Sequence, residues 1–160
     1  MAGESTFNGA KTGLNFMFAY FNMVAQEIGL EKALALDKKT AQMLGEAQGQ
    51  MIKEQIGDEE VDTRKAYQAL SDLIEGGLGI SSELEEESPE KITFKIERCP
   101  VYEAAQAVGM DDEAIKAECQ AGAICFMDAV TKQLHPNLSY QLLKFRTPED
   151  SFCKEAVVLD

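Results

Sequence analysis

The sequence holds a single histidine, His135, and it contains no CxxC pair, no glycine-rich phosphate loop and no HExxH motif. Zinc ribbons, nucleotide-binding loops and zincin peptidases therefore find no support in its spacing. No stretch approaches the roughly 18 consecutive apolar residues of a membrane span, and the first residues lack the basic and apolar segments of a secretory leader. The expectation is a cytoplasmic protein with no membrane partner. Basic residues are scarce as well: 15 Lys and Arg stand against 28 Asp and Glu, for a net charge of −13. Without a cluster of cations to neutralise phosphates, nucleic acid and anionic lipid are excluded as main partners. No Pro/Gly/Ser-rich tract argues for disorder.

What the 160 residues do contain is 45% hydrophobic and 27% charged, the balance of one folded domain. The expectation is a single unit over 1–160, with a helical part over 1–78 and a sheet-and-helix part over 79–160. The run over 11–28, with Phe16, Met17, Phe18, Tyr20, Phe21 and Met23, is apolar on all sides and predicts a helix buried widely, in a core, in a dimer or partner interface, or around a ligand. Further helices are expected over 38–55 and 62–74, the latter capped by Asp62 or Thr63 and stopped by Gly76-Gly77. Gly45 and Gly49 share a face of the first of these and permit close backbone packing.

Beyond Gly79 the period changes to two. Alternation predicts hairpins over 80–87 and 91–98 and over 138–146 and 152–159, with helices over 100–108 and 112–134 between them. Paired strands separated by helices predict an α+β fold: N-terminal helices followed by an antiparallel sheet of about four strands, two hairpins, with helices packed on one face.

Four cysteines, Cys99, Cys119, Cys125 and Cys153, are expected as thiols or metal ligands in a reducing compartment. Cys99 precedes Pro100 and so adjoins a helix N-terminus, where the dipole favours a thiolate suited to nucleophile or ligand. Glu103, one turn on, is a candidate base. On the long helix, Glu118, Cys125 and Asp128 are expected on neighbouring faces, while Cys119 points to the core. Asp128 joins the catalytic candidates because a carboxylate beside an apolar stripe needs a partner. Cys99, Cys153 and His135 are the candidate metal ligands, with zinc the cofactor considered; His135 also suits the end of a helix as a plain dipole complement.

These residues also carry a resemblance. Cys99-Pro100-Val101-Tyr102-Glu103-Ala104, then Cys125-Phe126-Met127-Asp128, Pro136-Asn137-Leu138, Arg146-Thr147 and the late Cys153 resemble the L-2-amino-thiazoline-4-carboxylic acid hydrolase family over about 92–159. The resemblance implies a hydrolase that opens a cyclic amidine-like carbon–nitrogen bond in a small sulfur heterocycle bearing a carboxylate. It carries over Cys99, Asp128 and Cys153, with Tyr102, Cys125 and Arg146 as ligand-binding candidates. The expected fold also resembles vinyl-reductase-like small-molecule-binding domains, in which cysteines can hold zinc. That second likeness implies a non-catalytic sensor or accessory module, and the N-terminal apolar helix a homodimer or a subunit of a larger complex.

Overall fold

The computed structural model describes residues 2–160. Two long helices open the chain, α1 (Ala2–Ile28) and α2 (Leu30–Ile56), separated only by Gly29 at φ 90°. Both begin well before the expected 11 and 38, because no proline interrupts residues 2–28 or 30–56 and the left-handed Gly29 alone parts the two helices. α3 (Thr63–Leu78) follows, N-capped by Asp62, whose carboxylate accepts the Lys65 amide at 2.8 Å. Its stop is not Gly76-Gly77 as expected. Those two glycines are helical, and the left-handed cap is Gly79 at φ 68°, the position that needs a residue without a Cβ.

The sheet comprises β1 (Ser82–Glu87), β2 (Lys91–Ile96), β3 (Leu138–Lys144) and β4 (Cys153–Leu159), antiparallel throughout in the order β1-β2-β4-β3. The expected α+β fold with two hairpins is the one found. Between them lie α4 (Pro100–Ala107) and a long helix made of α5 (Asp112–Cys119), a π-helical turn (Gln120–Ile124) and α6 (Cys125–Leu134). Alternation along β2 and β4 turns Ile92, Phe94, Ile96 and Val157 to one face. There they meet Tyr67, Leu70 and Ile74 of α3 and Met127, Val130 and Leu134 of α6 in the main core. A smaller cluster joins Phe18 of α1 to Ala104 and Ala105 of α4 and Ile115 of α5.

α1 is not buried on all sides. Phe7, Phe18 and Phe21 are buried, whereas Phe16, Tyr20 and Met23 are exposed; two-sided burial would need a second layer that this chain does not supply. α2 lies on α6 through its smallest residues. A Cβ on Gly45 would come within 2.5 Å of the Phe126 carbonyl oxygen and 2.8 Å of the Ala129 Cβ, and one on Gly49 within 2.6 Å of the Gln133 Cβ. Both glycines therefore permit the close packing expected of them. Gly45→Ala gains helix propensity of roughly 1 kcal/mol yet should destabilise by about 1–3 kcal/mol, because the Phe126 backbone cannot yield. Urea denaturation measures this, and an unchanged midpoint would mean that α2 is free to shift.

Candidate functional site

β2 ends just before Cys99, and Pro100 opens α4 with Cys99 at its N-cap in extended geometry. The amides of Val101 and Tyr102 are directed at the sulfur, and the charge of Arg146 favours a thiolate. Burial nevertheless outweighs them all and pushes the Cys99 thiol up to about 11. The depressed pKa expected from the helix N-terminus is thus reversed: the dipole is present, but the surroundings are too poor in water for it to prevail.

The carboxylate near this thiol is Glu155, which the sequence reading missed. In the register of β2 and β4, Ile96 pairs with Cys153 and Phe94 with Glu155, so Cys153 and Glu155 share the inner face with the core. The Tyr140 hydroxyl donates to Glu155 Oε2. Burial raises the Glu155 carboxyl to about 7, against the opposing pull of that hydrogen bond and of the Arg146 charge. The i, i+2 spacing from Cys153 was the available signal, but it became informative only once the inner face was known.

Arg146 closes the group. It is 8% exposed. Nη1 donates to the carbonyls of Glu97 at 2.8 Å and Ser151 at 3.3 Å, and Nη2 to that of Ile96 at 3.4 Å. Its guanidinium lies 4.6 Å from the Tyr102 ring centroid. Nε is buried and has no hydrogen-bond partner, so one donor of a buried cation remains open. Cys119 is within electrostatic reach of Cys99, Cys153 and Glu155, and burial raises its thiol further. Three of the four cysteines thus gather between the sheet and the helices, with Glu155, Tyr140 and Arg146.

The remaining expected site residues are engaged elsewhere. Glu103 accepts from Lys11 Nζ at 2.9 Å and Arg98 Nε at 3.4 Å; burial works against its charge, but these cations hold its carboxyl below the usual value. It fastens α4 to α1. Asp128 accepts the Tyr140 amide at 2.9 Å and pairs with Lys132 at 2.5 Å, joining α6 to β3. Cys125 donates to the Lys38 carbonyl at 3.6 Å, on the α2 side. The Tyr102 hydroxyl donates to Asp112 Oδ1 at 2.8 Å. His135 is the C-cap of α6, and its Nδ1 accepts the Asn137 amide at 3.2 Å. Among the described residues no three His, Cys, Asp or Glu side chains are placed to hold a metal ion. The set Cys99, Cys153 and His135 therefore does not assemble here, since His135 is committed to the helix end. No described helix is long and apolar enough to cross a membrane.

A cleft of about 430 Å³ opens between the start of α1 and the β1–β2 hairpin, lined by Phe7, Ser82, Lys95 and Arg98 among others. It borders the strand end that leads into Cys99, but the buried cluster itself does not line it. A second buried acidic feature lies where α2 meets the long helix. Glu118, 2% exposed, faces Asp37, and Oε2 of the one and Oδ2 of the other have no hydrogen-bond partner beyond the opposing carboxyl. A Cβ on Gly122, in the π-helical turn, would come within 2.8 Å of both carboxyls, so its absence makes room for them. Burial and the neighbouring Asp37 push the Glu118 carboxyl up to about 9.

A family model described as L-2-amino-thiazoline-4-carboxylic acid hydrolase matches residues 10–144. The match takes in α1 and α2, which the sequence resemblance did not include, and ends before Arg146 and Cys153. No curated protein matches the chain. Among solved structures, a trafficking protein particle complex subunit 3 from Naegleria fowleri, covalently bound to palmitic acid, is similar at a TM-score of 0.54 and 9% identity. The similarity covers 94% of this chain and 96% of that one. At that identity the likeness is one of fold.

Proposed function

Because the chain belongs to the L-2-amino-thiazoline-4-carboxylic acid hydrolase family, we propose that it hydrolyses a carbon–nitrogen bond in a small cyclic amidine or amide bearing a carboxylate, such as a thiazoline carboxylate. The observation that carries this reading is Glu155, a buried carboxyl raised to about 7 whose charge acts on the Cys99 thiol. A base near neutrality suits proton transfer to and from a reacting group. In this reading Glu155 takes the proton of Cys99, and the thiolate adds to the amidine carbon. The ring nitrogen leaves with the proton that Glu155 returns, and water, deprotonated by the same carboxylate, releases Cys99. Arg146 Nε and the Tyr102 side hold the substrate carboxylate. Glu103 and Asp128 serve at one remove, by fixing α4 and β3.

The test is turnover of thiazoline carboxylates and cyclic amidines by the purified protein, with and without added zinc. Product formed by the native chain and lost in Cys99→Ser is the expected result. Substrates left intact by a folded protein would count the hydrolase out and leave the non-catalytic small-molecule or metal-binding reading.

A protein contact through α1 is a second reading, favoured by the 79% exposure of Phe16 and the 66% exposure of Tyr20. The similar solved chain is named as a subunit of a complex, which agrees with such a contact. A cytoplasmic setting suits four unpaired thiols.

A further inference from the structure

We infer that the outward faces of α1 and α2 are where two copies of this chain meet, an assignment that rests on the protein-contact reading and gives its partner. α1 turns Phe7, Phe18 and Phe21 inward and leaves Phe16, Tyr20 and Met23 in solvent. At about 100° per residue, Phe16 and Tyr20 each lie roughly 160° from Phe18, on the opposite side of the helix. α2 repeats the arrangement. Ala41, Gly45 and Gly49 face α6, while Met43, 62% exposed, and Met51, 56% exposed, point away. A scattered exposed apolar residue needs no explanation, but an aromatic and Met stripe along two consecutive helices marks a contact surface.

Charge identifies the occupant. Over residues 1–56 five lysines oppose six acids, a net of −1, so −12 of the total −13 falls on 57–160. Residues 12–26 of α1 carry no charge at all. A chain this acidic repels its own copy wherever the sheet or the later helices approach, and the α1–α2 face is the surface where two copies meet without opposing like charges. A basic partner would be drawn to the acidic remainder instead. An anionic lipid surface requires a surplus of basic residues flanking the apolar stripe; over residues 1–56 the five lysines are outnumbered by six acids, and Lys11 is paired with Glu103 at 2.9 Å.

Light scattering coupled to size exclusion, run across micromolar concentrations, tests this on the full chain. The expected result is a dimer mass for the native protein and a monomer mass for Phe16→Glu/Tyr20→Glu, with dissociation at least about a hundredfold easier. Both residues are solvent-exposed in the single chain, so circular dichroism should report an unchanged fold. Added salt should tighten the native dimer by screening the two acidic bodies. A native protein that is monomeric at every concentration overturns self-association. In that event a hydrophobic dye separates the two readings: dye bound by the native chain and lost in the double variant keeps the protein-contact reading, while equal binding removes that too.

Discussion

Glu155→Gln is expected to lower turnover of a thiazoline carboxylate by about 10²–10⁴-fold, the range associated with loss of a positioned general base. The substitution keeps the shape and the Tyr140 contact while removing the titrating oxygen. In the native chain, kcat/KM should rise with pH and level off above about 7, because burial has raised the Glu155 carboxyl to that value and only its ionised form accepts a proton. The variant should lose that limb. Glu103→Gln should change kcat/KM far less, since Glu103 is occupied by Lys11 and Arg98. A pH profile that is the same in native protein and Glu155→Gln would remove Glu155 from the chemistry.

The Glu118–Asp37 pair should dominate the alkaline side of the stability curve. Its folded-state carboxyl titrates near 9, against an ordinary 4.5, and Asp37 is raised as well by its own burial. The folded chain therefore binds a proton that the unfolded chain has released, and stability falls as pH rises from about 4.5 to 9. Each pH unit across that window lowers the folding equilibrium by up to about tenfold per proton retained, roughly 1.4 kcal/mol. Below 4.5 both states are protonated and the loss vanishes. Glu155 contributes a slope of the same sign up to about 7, so the informative quantity is the difference between native protein and Glu118→Gln. That difference should be small at pH 5 and grow to a few kcal/mol in favour of the variant by pH 9. Parallel urea-unfolding curves at all pH values would show that the two carboxyls do not share a buried environment.

The parts of this fold legible in the sequence are those governed by local chemistry. Alternation of Ile92, Phe94 and Ile96 marks β2, Asp62 marks the start of α3, and Cys99-Pro100 marks the start of α4. The gathering of Cys99 with Glu155 was not legible, because it depends on which face of β4 turns inward, and one strand has two equivalent faces until its partners are placed. Asp37 escaped for a similar reason: on α2 it reads as an ordinary surface acid, and only the packing of α2 on the long helix sets it against Glu118. Uniform helical spacing over 112–134 also misses the π-helical turn, and it groups Cys125 with Asp128, whereas Cys125 meets α2 and Asp128 turns to β3. The resemblance identified the family and carried over Asp128, and helix spacing added Glu103; in the structure both carboxylates are fasteners, Glu103 to α1 and Asp128 to β3. The apolarity of α1 was plain, yet it predicted burial for residues that a single copy leaves uncovered.

The π-helical turn at Gln120–Ile124 makes one stretch of the long helix tolerant to a change in chain length. A π turn accommodates one more residue than the α turn it replaces, so the flanking segments keep the faces they would have in an unbroken helix. Deleting one residue within 120–124 would let the helix close into regular α geometry with Ile115 and Val130 still directed at their cores. Deleting one residue anywhere else between 112 and 134 would rotate everything beyond it by about 100°. The spare residue is absorbed at Gly122, which makes room for two carboxyls, so shortening the chain there would preserve the architecture and dismantle the acidic pair.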